Sequence, residues 1–316
     1  MNTAKNTAKK MGQLTDRSNR SAADPGGLAG RIADDETEMR FSDPLEASSP
    51  PVPSGVVDEL HARRARSFGS VATAYAQHRP TYPDQAVAWA LESLTNDGRV
   101  LDLAAGTGKL TEAILRCGVP ATAVLAVEPD DGMRAELSRR LPEITVRCGS
   151  AEQIPAQEQT VDAVLVGQAF HWFAPDRALD EIARVLRPGG VLAALGTNED
   201  DSVGWVVELI EATQAAQPVE SVRWRSVEVP EHPAFSGPGQ GQFRWRWPRT
   251  IDSLLETVST YSWALTSLPD QRAAALVAIR QFLERHPATR DGTFELPMRT
   301  QVLRRTRRTK GAQASR

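Results

Sequence analysis

Cysteine is nearly absent from this chain: its 316 residues contain two, Cys117 and Cys148, without CxxC spacing. That gives no support to a disulfide framework, and the expectation is a pair of reduced, packed thiols in a cytoplasmic protein. Histidine is sparse as well, with five scattered at 61, 78, 171, 232 and 286. None has ligand-like spacing, so no metal site is expected. Long apolar runs are missing too. Nowhere do 18 apolar residues follow one another, which argues against a transmembrane helix. Lys5, Lys9 and Lys10 have no apolar segment behind them, so a secretory signal is not expected. Nor is there an excess of one charge. A net charge of -3 creates no global field to draw in nucleic acid or an anionic membrane. What remains is ordinary for a soluble globular protein, 41% hydrophobic and 24% charged, with length for one large domain or two small ones.

Residues 1–55 read as a disordered N-terminal extension, rich in Ser, Ala, Asp, Gly and Pro and without helical or strand period. Charge there is segregated. The first 20 residues carry five basic side chains against Asp16, and residues 21–50 hold seven acidic against two basic. The segment Ser48-Ser49-Pro50-Pro51-Val52-Pro53-Ser54 then reads as an extended linker. From residue 56 the texture changes. Strands are predicted at 99–103, 122–127, 144–147, 161–166 and 191–195, with amphipathic helices between them. Asp176 is expected to cap the helix carrying Leu179, Ile182, Ala183 and Leu186, and Pro188-Gly189-Gly190 to end it. Alternation of this kind implies an α/β fold with a parallel sheet covered on both faces. Farther on, Phe243-Arg244-Trp245-Arg246-Trp247 alternates with period two and reads as a strand. Helices are predicted near 251–260 and 270–285, and a last strand near 293–303. The domain is taken to run over 56–305, with a basic tail at 306–316.

The most informative segment is Val100-Leu101-Asp102-Leu103-Ala104-Ala105-Gly106-Thr107-Gly108. It sets a glycine-containing turn between a strand and its helix, at the carboxyl edge where such sheets bind ligands. A dinucleotide site requires G-x-G-x-x-G, but Thr111 stands where the third glycine belongs, and Asp102 would face the phosphates. A P-loop requires G-x-x-x-x-G-K-[ST]. Gly108-Lys109 imitates its end, yet Leu110 replaces the hydroxyl residue and Leu103 the first glycine. S-adenosylmethionine has no phosphate. An acid ending the first strand suits its ammonium, and loop N–H groups suit its carboxylate. A second acid, Glu128, follows the second strand, 20 residues past Gly108, in the position such folds use for ribose hydroxyls.

With these motifs in view, residues 66–305 resemble the class I S-adenosylmethionine-dependent methyltransferases, particularly the small-molecule type 11 branch. The resemblance is carried by FGSVATAYAQHRPTYP at 68–83, LDLAAGTGKLT at 101–111, AVEPDDGM at 126–133, GSAEQIP at 149–155, VDAVLVGQAFHWF at 161–173 and EIARVLRPGG at 181–190. It implies a Rossmann-like doubly wound seven-stranded sheet, mostly parallel, with an antiparallel last strand. It also implies S-adenosyl-L-methionine as cofactor and a small-molecule methyl acceptor. Asp102, Ala104 and Gly106 would surround the methionine moiety, with Gly108 completing the loop. Glu128 would take the ribose, Ala151 and Glu152 would lie beside the adenine, and Gln168 near the sulfonium and the acceptor. Ala104 stands where many members have glycine, which is tolerated if the backbone stays in a region open to L-residues. Tyr75, Arg79 and Tyr82 fall in a leader that packs over the cofactor as a lid in similar enzymes.

His171 is the one candidate catalytic base, with an unperturbed pKa near ~6.5. The competing reading makes it a hydrogen-bonded spacer while Phe170, Trp172 and Phe173 wall the pocket mouth. The Arg–Trp interleaving at 243–247 could suggest nucleic-acid binding. Period-two alternation accounts for it instead, burying Phe243, Trp245 and Trp247 and leaving Arg244 and Arg246 in water. Residues 299–316 hold seven basic side chains and no acid, about ten residues of which are expected as a free tail. Two other classes compete with a methyltransferase: a non-catalytic protein on the same fold, and a nucleotide-binding oxidoreductase.

Overall fold

The structure is a computed structural model that describes residues 72–95, 97–218 and 227–309. The extension read at 1–55 with its linker at 48–54, and residues 310–316 of the basic tail, lie outside the described residues.

Seven strands make one sheet: β1 (Val100–Leu103), β2 (Val124–Val127), β3 (Thr145–Arg147), β4 (Val161–Gly167), β5 (Leu186–Glu199), β6 (Gly239–Thr250) and β7 (Thr293–Thr306). Their order is β3-β2-β1-β4-β5-β7-β6. The first five pair in parallel, and β7 runs against both of its neighbours, β5 and β6. The order reverses between β1 and β4, so the loops after those strands open a crevice at their carboxyl ends.

The helices are α1 (Ala72–His78), α2 (Asp84–Ala90), α3 (Lys109–Arg116), α4 (Asp131–Arg140), α5 (Pro175–Val185), α6 (Gly204–Ala216), α7 (Ile251–Ser259), α8 (Ser262–Thr266) and α9 (Pro269–Arg285). Strands buried on both faces read as continuous apolar runs, and adjacent residues serve opposite layers. Val100, Ala163, Leu165 and Ala193 pack with Val87, Ile114 and Leu137 of α2, α3 and α4. Their neighbours Leu101, Val164, Val166 and Leu192 pack with Leu179 and Ile182 of α5. A third cluster joins α6, α7, α8 and α9 to Leu296 and Met298 of β7, with Trp245 and Trp247 of β6 against it.

Several local expectations change. Asp176 does not cap α5. The cap position is Ala174, and Pro175 occupies the first turn with Asp176 behind it, where its charge meets the helix dipole. Pro188-Gly189-Gly190 does not end that helix, which has stopped at Val185. The segment is an irregularity inside β5, where the register with β4 shifts. Gly189 has φ 83 there and donates to Arg307 O at 2.9 Å, so chain pairing decides its role. Helix α6 was not anticipated. The thiols are free, but Cys148 is exposed rather than packed, because β3 is an edge strand.

Along β6 the alternation is as read, although the inner face is only half-buried and Arg244 pairs with Asp200 at 2.9 Å. The basic run after residue 299 is largely used within the fold. Arg299 meets Asp201 at 2.7 Å and Arg304 meets Glu92 at 3.0 Å. Arg305 donates to Val229 O at 2.7 Å and Arg308 to Phe235 O at 2.9 Å.

Candidate functional site

A cavity of about 950 Å³ lies at the carboxyl ends of β1, β2, β4 and β5. Asp102, Ala104, Gly106, Glu128, Ala151, Glu152, Gln168 and His171 all line it. Gly108 does not. It precedes α3 with φ 85, and a Cβ there would stand 3.1 Å from both Leu137 and Leu141. Its glycine serves backbone conformation and the packing of α3 on α4.

The β1 loop is bent by three positive φ angles, at Ala104 (56), Gly106 (55) and Gly108 (85). The condition attached to Ala104 therefore fails: it occupies the left-handed region, where a Cβ crowds the following carbonyl. Gln168, ending β4 across the crevice, also has φ 56. Such angles persist where surrounding bonds over-determine them. Ala105 N donates to Val127 O at 3.0 Å, Gln168 N donates to Leu195 O at 2.8 Å, and the Gln168 amide donates to Thr197 O.

Glu128 is fixed at both oxygens. Gly106 N donates to Oε2 and Asp130 N to Oε1, each at 2.9 Å. Burial pushes its pKa up, and these two N–H bonds oppose that. Each oxygen keeps a second lone-pair direction for a ligand hydroxyl. Asp102 is 0% exposed. Thr111 Oγ1 donates to its Oδ2 at 2.6 Å, while Oδ1 has no partner. Burial lifts its pKa to about 7, with the Thr111 bond pulling down and the Glu128 charge pushing up. In the loop after β1, Thr107 lines the same cavity, and its Oγ1 is also buried without a partner. Tyr82 closes this wall. Its ring leaves no room for a side chain at Gly167, and burial raises its pKa well above the usual value.

His171 sits on a 3-10 turn, Phe170–Trp172, with its ring 4.7 Å from that of Trp172. Trp172 and Phe173 line the cavity as expected, but Phe170 does not. It is buried in the layer against α5, because the turn points it inward. Of the leader, Tyr75, Arg79 and Tyr82 all line the cavity. The leader is tied to α7: Thr257 Oγ1 donates to His78 O at 2.7 Å, and Arg79 Nη2 donates to Thr260 O at 3.0 Å. The remaining wall went unrecognised in the sequence. Trp247, Leu254, Val258, Trp263, Leu296 and Met298 come from β6, α7, α8 and β7, with core-like spacing as their only signal. Among the described residues, no cluster of three or more His, Cys, Asp or Glu could hold a metal, and no helix is long and apolar enough to cross a membrane.

Comparison with known proteins meets this geometry directly. A family model described as a methyltransferase domain matches residues 101–194, the stretch from β1 into β5. An uncharacterized methyltransferase of Mycobacterium tuberculosis is 40% identical over 241 residues, covering 76% of this chain and 95% of the relative. The chain belongs to the class I methyltransferases. An uncharacterized methyltransferase of Schizosaccharomyces pombe is 36% identical over 178 residues, 56% of this chain and 68% of that one. A solved structure from Anaeromyxobacter dehalogenans, assigned as a type II methyltransferase, superposes with TM-score 0.52 at 26% identity, covering 72% of this chain and 97% of that one. That superposition takes in a larger share of the chain than residues 101–194, which the family model matches.

Proposed function

We propose that this methyltransferase takes its methyl group from S-adenosylmethionine and delivers it to a small molecule in the same cavity. The observation that carries the reading is the free Oδ1 of Asp102. A buried carboxylate oxygen without a partner is costly, and a ligand ammonium beside it would supply what is missing. Thr107 Oγ1, buried without a partner, suits the carboxylate at the same end of the ligand, whereas the N–H groups of Ala105 and Gly106 are already committed to Val127 O and Glu128. Glu128 would hold the ribose, Ala151 and Glu152 the adenine, and Gln168 would stand between cofactor and acceptor. The cavity volume of about 950 Å³ suits two ligands together.

Bound S-adenosylmethionine supplies an electrophilic methyl on a sulfonium whose leaving group is a neutral thioether. The chain's task is then alignment and exclusion of water, and positioning of this kind lowers a barrier by ~7–11 kcal/mol. Trp172, Phe173 and Tyr82 serve it as rigid walls. His171 acts through packing on Trp172. The nucleotide-binding alternative is disfavoured by Thr111, whose hydroxyl is committed to Asp102 where a third glycine would be needed. Two uncrosslinked thiols fit a cytoplasmic enzyme. Incubation with methyl-labelled cofactor and a metabolite extract, read by mass spectrometry, tests the reading. Label is expected in low-mass products, and label confined to protein or nucleic acid would contradict it.

A further inference from the structure

The loops after β1, β2 and β4 account for only part of the cavity. Much of the remaining wall is apolar, with Trp247, Leu254, Val258, Leu296 and Met298 on it, while Glu199, Thr213, Gln214 and Ser262 add polar groups. Two nitrogen donors interrupt this wall without partners. Trp263 is 3% exposed and lines the cavity, and its Nε1 has no acceptor. Arg79 lines the same cavity, and its Nε is buried and likewise unmatched.

The setting of Arg79 fixes the guanidinium without neutralising it. Its Nη2 donates to the Thr260 carbonyl at 3.0 Å, and its Cζ lies 5.0 Å from the Tyr75 ring centroid and 4.6 Å from that of Tyr261. A carbonyl and two ring faces are dipoles and quadrupoles, not counter-ions. Among the described residues, no carboxylate forms an ion pair with Arg79. Glu199, the acid on the same wall, receives the Tyr261 hydroxyl at 2.9 Å. A half-buried cation held without an anion and an indole N–H held without an acceptor, both lining one cavity, call for a group that answers both.

We propose that the methyl acceptor is a carboxylic acid with an apolar body, anchored through its carboxylate by Arg79 and Trp263. A carboxylate offers two oxygens and about four lone-pair directions to guanidinium and indole N–H groups. A neutral amide would satisfy the indole and leave the charge. A phosphate would bring a second negative charge to a stretch of wall where Arg79 is the cation, since Lys109, which also lines the cavity, stands at the start of α3, after the β1 loop. The apolar wall receives the remainder of the molecule, so a small, fully polar acid is a poor match. This inference rests on the methyl-transfer reading and names the class of molecule that reading leaves open.

The test uses the full-length enzyme with S-adenosylmethionine present. Phenylacetate, 3-phenylpropanoate, hexanoate and octanoate are compared with their matching amides, with affinity read by tryptophan fluorescence. At least one acid is expected to bind roughly tenfold or more tightly than its amide, the worth of a charge-assisted hydrogen bond. Arg79→Gln should bring that ratio to within about twofold, and Arg79→Lys should restore part of it. Trp263→Phe should weaken acid and amide alike, which keeps the idea testable if an Arg79 variant does not fold. Acids binding no better than amides to the wild type, or an unchanged ratio in folded Arg79→Gln, would overturn the proposal. Failure of the wild type to bind S-adenosylmethionine at all would instead count against the methyl-transfer reading.

Discussion

The Thr111 hydroxyl donates to Oδ2 of Asp102 across 2.6 Å, leaving Oδ1 of the same buried carboxylate without a partner. Thr111 occupies the place where a dinucleotide site needs glycine, so one residue both removes the pyrophosphate option and orients the acid. Its bond favours the ionised form but does not outweigh desolvation, and the Asp102 pKa stands at about 7 against an ordinary 3.8.

That shift has a definite sign. Between pH ~4 and ~7 the folded chain binds more protons at Asp102 than the unfolded chain. Ligand-free stability should therefore fall relative to Asp102→Asn as pH rises through this window, with the full penalty present above it. S-adenosylmethionine affinity should move the other way, rising from pH 5.5 to 7.5 in the wild type as Asp102 ionises and staying flat in Asp102→Asn. Thermal melts and titrations at four pH values check both slopes. Parallel melting curves for the two proteins would mean that Asp102 does not carry the shift.

Ala104 is held at φ 56, where an L-residue costs about 1–2 kcal/mol. Ala104→Gly releases that strain and loses a smaller amount through unfolded-state entropy. Urea denaturation should show the variant equal to the wild type or more stable by up to about 1 kcal/mol, and Ala104→Val less stable. A loss above ~1 kcal/mol for the glycine variant would mean that the Cβ packs favourably.

Much of the sheet was legible because parallel strands buried on both faces leave apolar runs, as Val100–Leu103 and Val161–Gly167 do. The loop residues from Asp102 to Glu128 were legible for a different reason: their chemistry is local to two strand ends. The wall formed by Leu254, Val258, Trp263, Leu296 and Met298 was not, since those residues read as core and meet only through the β6–β7 pairing and the helices over it. Helix α6 was missed because Val206, Leu209 and Ile210 give it a narrow buried stripe in an otherwise mixed sequence. The angle at Ala104 was hidden because alanine seldom adopts it.

His171 packs on Trp172 at the cavity rim. His171→Ala is expected to lower turnover by less than tenfold and leave the shape of the pH–rate profile unchanged. Loss of an ionisation near neutral pH together with a fall of ~100-fold or more would establish it as the base.

Among the described residues, those lining the cavity run from Tyr75 to Met298. Residues 1–55 read from composition as an extension without helical or strand period, so deleting them is expected to leave melting temperature and cofactor affinity nearly unchanged. A collapse of affinity in the truncated enzyme would bring the extension into the site.

Glu128 holds the turn through the N–H groups of Gly106 and Asp130, and in the proposed site its remaining lone pairs would take the ribose hydroxyls, so Glu128→Ala would strand both sets of donors. Each lost charge-assisted bond costs ~1.5–3 kcal/mol, roughly 10- to 150-fold in affinity. Calorimetric titration of S-adenosylmethionine into the wild type, Glu128→Ala and Asp102→Asn at pH 7.5 tests the site most directly. Saturable binding by the wild type, weakened about tenfold or more in both variants, is the predicted result. Affinity within twofold of wild type in both would contradict it and leave the family membership as a statement about fold alone.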